Sequence, residues 1–128
     1  MKVLVDTHAF FWWVVDSPNL SSRAREVIAE QDNEVFISAV VAWELATKSR
    51  VGRWPQALPI ANDIRSVIET NNFTPLAITI EHARTAGLLV GRHRDPFDRL
   101  LAAQSQIEGI PLVSADPIFR YFGTAVLW

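Results

Sequence analysis

Short hydrophobic runs alternate along the chain with longer segments in which hydrophobic positions recur every three or four residues. Runs rich in β-branched residues predict strands, and the three-to-four spacing predicts helices. The predicted strands are 2–6, 34–37, 73–77, 111–113 and 124–127, and the predicted helices are 9–15, 21–31, 38–50, 60–71, 79–90 and 96–108. This alternation predicts an α/β fold around a mainly parallel sheet.

Residues with strong capping preferences mark several of the predicted boundaries. Ser38 is suited to cap the helix over 38–50, and Gly52 is suited to end it. Gly91 is placed to close the helix over 79–90. Two prolines predict a loop at 54–59, and the charged run at 92–95 predicts a basic loop.

Composition narrows the class of protein. With 128 residues, 49% of them hydrophobic and 20% charged, the chain has the size and balance of one globular domain covering 1–128. It has no cysteine, which excludes disulfides, thiolate zinc sites and cysteine nucleophiles and fits a reducing cytoplasm. We expect no membrane association, because the longest apolar run, 9–15, is too short to span a bilayer.

The net charge of −2 restricts how the chain could bind nucleic acid. Proteins that bind nucleic acid through charge alone are usually strongly basic. Bound metal ions and local basic clusters would have to supply the attraction here.

Two acidic residues directly follow predicted strands. Asp6 ends the first strand and Asp116 follows the fourth, so both lie at the edge where parallel sheets bind ligands. Each also has an ordinary structural explanation. Asp6 can cap the following helix, and Asp116 precedes Pro117 in a typical turn sequence.

Two further acids lie in predicted helices. Glu44 falls on a hydrophobic stripe through Val40, Val41 and Val51, and it can equally form a surface pair with Lys48 four residues later. Asp98 follows Asp95 and Pro96, which suit the N-cap and first position of the helix over 96–108. At the third helical position its charge is favoured by the helix dipole.

The joint placement of these four acids is more informative than any one of them. All of them can point toward the same edge of the sheet. Clustered carboxylates repel one another unless cations or protons neutralise them, and hard oxygen ligands suit Mg²⁺ or Mn²⁺.

Four segments resemble the PIN-domain family, and more closely the VapC-type toxins of prokaryotic toxin–antitoxin pairs. They are Val-Leu-Val-Asp-Thr-His at 3–8, Trp-Glu-Leu-Ala-Thr-Lys at 43–48, the segment 93–104 with its Asp-Pro-Phe-Asp-Arg start, and Leu-Val-Ser-Ala-Asp at 112–116. The similarity covers essentially the whole chain. It implies a three-layer fold with a five-stranded parallel sheet flanked by helices.

The resemblance also implies a function. The family cleaves RNA at an acidic site that binds one or two Mg²⁺ or Mn²⁺ ions, and its members are typically silenced by a small antitoxin protein. By motif, the catalytic and metal-binding acids fall on Asp6, Glu44, Asp98 and Asp116. Asp6 and Asp98 are expected to bind metal directly, Glu44 to bind metal or orient a water, and Asp116 to act through water.

Other side chains are assigned from their position near these acids. Thr7 is expected to hydrogen-bond a water or a phosphate oxygen, and the basic residues around Asp98, including Arg94 and Arg99, to contact the RNA backbone or simply to be solvated. His8 and His82 lack metal-site spacing and are expected to be structural. The aromatic block 10–13 should be mostly core, with some rings lining a groove for an antitoxin helix or a second copy of the chain in a homodimer.

The sequence bears on three alternative functions. The absence of a Gly-x-Gly-x-x-Gly after the first strand argues against a dinucleotide-binding enzyme. An aspartyl phosphatase usually has a second acid two residues after the first, where this chain has His8. A non-catalytic PIN-like module that binds RNA or protein stays open, although all four acids are present.

Overall fold

Five parallel strands form one sheet in the order β3-β2-β1-β4-β5. The computed structural model describes residues 1–128. The strands are β1 (Lys2–Val5), β2 (Glu34–Ser38), β3 (Thr74–Leu76), β4 (Leu112–Val113) and β5 (Val126–Leu127). The predicted five-stranded parallel sheet is therefore confirmed.

Eight helices accompany the sheet. They are α1 (Thr7–Val14), α2 (Ser22–Ala29), α3 (Ala39–Arg50), α4 (Leu58–Asn62), α5 (Ile64–Thr70), α6 (Ile80–Leu88), α7 (Pro96–Glu108) and α8 (Ile118–Tyr121). None of them combines the length and apolar character that a membrane crossing would require.

The two faces of the sheet carry separate hydrophobic cores. Along β1, Val3 and Val5 pack into one cluster, which includes Phe10 of α1, while Leu4 packs into the other with Leu101 of α7. Because side chains alternate between the faces of a strand, burial on both faces requires continuous hydrophobic strands. The helices thus form a layer on each side of the sheet.

The strand order reverses at β1. The chain adds β2 and β3 on one side of β1 and then returns to place β4 and β5 on the other side. Ligands of such sheets bind outside the carboxyl ends of the strands at this point. Asp6 and Ser114, the residues that follow β1 and β4, therefore lie where a site is expected.

The segment 54–71 differs from the prediction. Instead of a loop and one helix it contains a 3₁₀ turn at Pro55–Ala57 followed by α4 and α5, which are separated at Asp63 (φ −115°, ψ 19°). Pro59 lies in the first turn of α4, where its missing N–H would have had no partner in any case. Pro59 therefore lies at the start of a helix and not in the predicted loop.

Two further differences from the prediction concern the end of α6 and the segment 118–121. Gly91 does not close α6, which ends at Leu88 with Leu89 already extended (φ −53°, ψ 129°). Helix α8 was not predicted, because four residues are too few to show a helical period. Both regions lie next to the basic loop 92–95.

Candidate active site

Asp6 lies at the end of β1 and is almost fully buried. One carboxylate oxygen, Oδ1, accepts a hydrogen bond from the Ala9 backbone N–H at 2.8 Å, so Asp6 caps α1. The other, Oδ2, accepts a hydrogen bond from the Ser114 hydroxyl. Burial raises the pKa of Asp6 to about 7, although these two hydrogen bonds act against the rise. Its partners are neutral, so the charge of Asp6 has no cation beside it.

Glu44 is buried on α3 and is held by two side chains. Thr7 donates a hydrogen bond to Oε1 at 2.5 Å, and the Lys48 ammonium pairs with Oε2. The hydrophobic neighbours of Glu44 are Val40, Val41 and Leu45, whereas Val51, which the sequence placed on the same stripe, is exposed. The Glu44–Lys48 ion pair is present, but it is not a surface pair, because the carboxylate of Glu44 is buried.

Asp98 lies in the first turn of α7. Its Oδ2 is 2.7 Å from Nε2 of His93. Burial raises the pKa of Asp98, and the charges of Asp95, Glu44 and Asp116 add to the rise; against the hydrogen bond from His93, the pKa reaches about 6. Asp95 itself caps the helix, with Oδ1 accepting from the backbone N–H groups of Phe97 and Asp98.

Asp116 is exposed at the rim of this group. Its Oδ1 accepts a hydrogen bond from the Ile118 N–H at 3.0 Å, which is the turn role that its sequence allowed. Its own backbone N–H donates to the Ser114 hydroxyl, the same hydroxyl that donates to Asp6. Ser114 therefore connects the ends of β1 and β4, and sequence reasoning missed it.

The acids act on one another electrostatically. The charges of Glu44 and Asp98 raise the pKa of Asp6, and those of Glu44 and Asp116 raise the pKa of Asp98. Three residues whose possible ligand atoms lie within 4.8 Å of one another are His93, Asp95 and Asp98. That compact group shares only Asp98 with the four predicted acids.

A divalent cation fits the chemistry of these residues. Asp6 and Asp98 are oxygen donors with raised pKa values, which means that the surroundings penalise their negative charge. A cation would offset that penalty, and carboxylate oxygens are ligands that Mg²⁺ and Mn²⁺ prefer. Lys48 supplies positive charge to Glu44 but not to Asp6.

The structure shows that Arg99 has a structural role. Its guanidinium donates to the backbone carbonyls of Ala86 (2.8 Å), Gly87 (3.4 Å) and Leu89, and to that of His93 (2.9 Å). Arg99 therefore ties the end of α6 to the basic loop with four of its five N–H donors. The sequence shows the positive charge of Arg99 but not that its guanidinium is directed at backbone carbonyls.

Thr7 is buried, and its single hydroxyl proton is donated to Glu44 in this structure. The predicted hydrogen bond of Thr7 with a water or a phosphate oxygen stays a prediction. Arg92 and Arg94 remain exposed in the basic loop and carry no ion pair. The predicted contacts of Arg94 and Arg99 with the RNA backbone stay predictions.

The two other histidines differ in exposure. His82 is fully buried and hydrogen-bonded to Thr79 and Glu108, as expected of a structural residue. His8 is exposed, and its ring stacks on Trp54 with centroids 4.7 Å apart and planes 17° apart. Partial burial lowers the pKa of His8, and the charges of Glu44, Lys48 and Asp116 act on it. His8 therefore lies beside the acids.

The aromatic block is only partly core. Phe10 is fully buried, whereas Phe11, Trp12 and Trp13 are half-buried and pack against the core from its edge.

Comparisons with known proteins show the family to which the chain is related. The family described as the PIN domain matches residues 3–124. Ribonuclease VapC22 of Mycobacterium tuberculosis is 31% identical over 119 residues, which are 92% of this chain and 89% of that protein.

Solved structures share the fold. VapBC2 of Rickettsia felis, bound to a DNA fragment from its promoter, has a TM-score of 0.69 at 15% identity, with 99% of this chain and 98% of that chain covered. VapC20 of Mycobacterium tuberculosis, described as a toxin that cleaves the sarcin–ricin loop, has a TM-score of 0.66 at 19% identity, with 96% of both chains covered.

Proposed function

The chain belongs to the PIN-domain family, and we propose that it is a metal-dependent endoribonuclease, the toxin of a toxin–antitoxin pair. One observation carries the proposal. Asp6 and Asp98 are two carboxylates with raised pKa values near the switch point of the sheet, and the charge of Asp98 contributes to the raised pKa of Asp6. Perturbed carboxylates at a ligand-binding edge are typical of catalytic and metal sites.

Asp6 and Asp98 would hold Mg²⁺ or Mn²⁺, with Glu44 beside them and Asp116 at the rim. When bound, the divalent ion supplies positive charge for the attacked phosphate and makes water a stronger nucleophile at neutral pH. No side chain is needed as a covalent nucleophile.

The remaining side chains fix the acids in place. The Ser114 hydroxyl and the Ala9 N–H hold Asp6, while Thr7 and Lys48 hold both oxygens of Glu44. Such partners orient ligands and tune their basicity, and their loss typically weakens metal affinity or activity roughly 10- to 100-fold. In this role Glu44 keeps acceptor capacity for a water near Asp6.

RNA is the proposed substrate. The relative with 31% identity is named a ribonuclease, and the exposed Arg92 and Arg94 lie in the loop that also carries His93, the partner of Asp98. Their charge is suited to the RNA backbone, which a chain of net charge −2 cannot attract as a whole.

A protein antitoxin and a second copy of the chain are the proposed protein partners. The half-buried rings of Phe11, Trp12 and Trp13 offer apolar surface for such contacts. We also propose that residues 1–128 act as a single PIN domain.

The test is cleavage of total cellular RNA by the purified chain with MgCl₂ or MnCl₂, with excess EDTA, and by Glu44→Gln as a matched variant. We expect cleavage that needs metal and is lost in the variant. Undiminished cleavage in EDTA would contradict the metal mechanism. A folded chain that binds RNA without cutting it under any of these conditions would favour the non-catalytic module.

The toxin assignment has its own test in cells. Expression of the wild-type chain alone should slow growth, and co-expression of a small cognate antitoxin should relieve it. If the wild-type chain and Glu44→Gln accumulate to equal soluble levels and are equally harmless, the toxin assignment is wrong.

A further inference from the structure

An aromatic pair stands beside the acids and has no part in the chemistry proposed above. The pair consists of His8, two residues after Asp6, and Trp54; we call it the aromatic platform. Trp54 also touches Phe11, with centroids 4.7 Å apart and planes 57° apart, so its indole lies against two residues one turn apart on α1. His8 further contacts Trp12 at 5.7 Å.

The platform is fixed to the acids from two sides. His8 lies in the first turn of α1, which Asp6 caps. Trp54 follows α3 through a turn at Gly52 (φ +79°), in which the Arg53 and Trp54 N–H groups both donate to the Lys48 carbonyl, at 3.0 and 3.1 Å. Lys48 is the residue whose ammonium holds Glu44. The distance from platform to acids is therefore set by rigid helix ends.

Core packing does not explain His8. Its neighbours Ala9 and Phe10 are buried, whereas His8 is exposed. Its ring makes no hydrogen bond, unlike the rings of His82 and His93. Its ring stacks on Trp54 and meets Trp12 at a tilt of 56°, and the charges of Glu44 and Asp116 act on it.

We propose that the aromatic platform stacks an unpaired base of the RNA substrate, with His8 as the residue that touches the base. This inference rests on the proposed ribonuclease function and deepens it, because it names a residue that contacts a base of the substrate. Bases within a duplex are stacked on each other, whereas splayed bases stack on aromatic side chains, histidine included. Such stacking tolerates any base, since every base has a π face.

The test compares binding of two probes in the presence of Mg²⁺ by fluorescence anisotropy. One is a fluorescein-labelled 12-nucleotide RNA of random sequence, and the other is the same ribose-phosphate backbone without bases. The protein carries Asp98→Asn to prevent cleavage, alone and combined with His8→Ala, His8→Phe or Ile80→Ala. Ile80 is an exposed apolar residue on α6 and serves as the truncation control. Circular dichroism melting verifies that each variant is folded.

We expect His8→Ala to weaken binding of the intact RNA roughly 5- to 150-fold, the range for loss of one stacking side chain. His8→Phe keeps a flat ring and should bind within about threefold of the parent. Ile80→Ala should match the parent, and all the proteins should bind the abasic backbone equally. In the wild-type background, His8→Ala should raise KM more than it lowers kcat.

Three results would overturn the inference. They are equal binding of intact RNA by the parent and His8→Ala, equal loss on both probes, and a parent that does not distinguish the probes or binds neither. Metal-dependent cleavage by the wild-type chain is measured separately. If the wild-type chain cleaves RNA and His8→Ala binds RNA like the parent, the stacking proposal is wrong and the nuclease proposal is kept. If His8 stacks a base but the wild-type chain does not cleave RNA, the nuclease proposal is wrong and the stacking contact is kept.

Discussion

The protein contains two clusters of buried polar side chains, and they differ in how completely hydrogen-bond partners and opposite charges compensate their burial. The first, which we call the α6–α7 cluster, centres on His82. His82 Nδ1 accepts from the Thr79 N–H at 3.0 Å, its Nε2 is 2.8 Å from Glu108 Oε1, and its own N–H donates to the Thr79 hydroxyl. Gln104 packs alongside, with only its Oε1 unpartnered. Nearly all polar atoms of this cluster therefore have hydrogen-bond partners.

The second group, which we call the acid site, consists of Asp6, Glu44 and Asp98. Asp6 has only neutral donors, and burial raises its pKa to about 7 and that of Asp98 to about 6. The folded protein thus pays a free-energy penalty for keeping these carboxylates ionised at neutral pH. Burial of polar side chains does not by itself indicate a functional site. A buried carboxylate without a neutralising cation does indicate one.

The largest effect is expected for a charge removed from the acid site. Asp98→Asn keeps the size of the side chain but removes the charge proposed to hold the metal, so cleavage should fall by at least roughly 100-fold. The melting temperature should hold or rise, because repulsion among the acids is relieved.

Asp95→Asn is the matched control for Asp98→Asn. Asparagine caps a helix about as well as aspartate, so this variant should stay active. Asp95→Ala should lose about 1 kcal/mol of stability with the cap and retain activity where it is folded. An inactive Asp95→Asn beside an active Asp98→Asn would reverse the two roles. Two folded but inactive asparagine variants would place Asp95 in the site as well, as its closeness to His93 and Asp98 allows.

In the α6–α7 cluster the expected effects are the opposite. His82→Ala removes a fully buried ring and strands its partners, so it should cost about 2–4 kcal/mol of unfolding free energy. Activity per folded molecule, measured well below the melting temperature, should stay close to wild type. A well-folded His82→Ala without activity would mean that the two regions are not independent.

The stability of the metal-free chain should fall as the pH rises. The folded-state pKa values of Asp6 and Asp98 lie above the ordinary aspartate pKa of 3.8, so between about pH 4 and 7 the folded state binds more protons than the unfolded state. The penalty is absent at low pH and complete above pH 7. We expect these two groups together to lower the free energy of unfolding by about 4 kcal/mol between pH 5 and 8.

The check is thermal melting in EDTA at both pH values. Asp6→Asn/Asp98→Asn should be less sensitive to pH than the wild-type chain. A double variant whose melting temperature falls as steeply as that of the wild type would assign the pH dependence to other groups.

The smallest effect separates two buried serines. Ser114 donates to Asp6, and Ser105 donates to the Ile110 carbonyl at 2.5 Å in the interior. Ser114→Ala removes the hydrogen bond that lowers the pKa of Asp6, so Mn²⁺ affinity should fall roughly 10-fold. Ser105→Ala should lower the melting temperature and leave Mn²⁺ affinity unchanged. Equal Mn²⁺ affinities in the two variants would deny Ser114 its role at the site.

The sequence predicted those parts of the fold whose signals are local. Ser38, Asp95 and Pro96 marked helix starts correctly, because capping depends on neighbouring residues alone. The breaks in the segment 54–71 and the four-residue α8 escaped prediction, since short helices form through packing rather than through periodicity.

The partners of the acids could not be predicted in the same way. The contact of Ser114 with Asp6 joins residues 108 positions apart, and that of Thr7 with Glu44 joins residues 37 apart. Arg99 shows the same limit, because its charge was visible and its direction toward backbone carbonyls was not. The identities of candidate acids follow from sequence, whereas their hydrogen bonds depend on tertiary structure.

The most direct test of a cation held by Asp6 and Asp98 is calorimetric titration of the apo chain with MnCl₂ at pH 6.5, in two buffers of different ionisation enthalpy. The account predicts that the wild type binds Mn²⁺ and releases protons, because raised pKa values leave these carboxyls partly protonated before binding. Asp98→Asn should bind at least roughly 10-fold more weakly, and Asp95→Asn should bind like the wild type. Equal Mn²⁺ affinity in the wild type and Asp98→Asn, or no binding at millimolar MnCl₂, would contradict it.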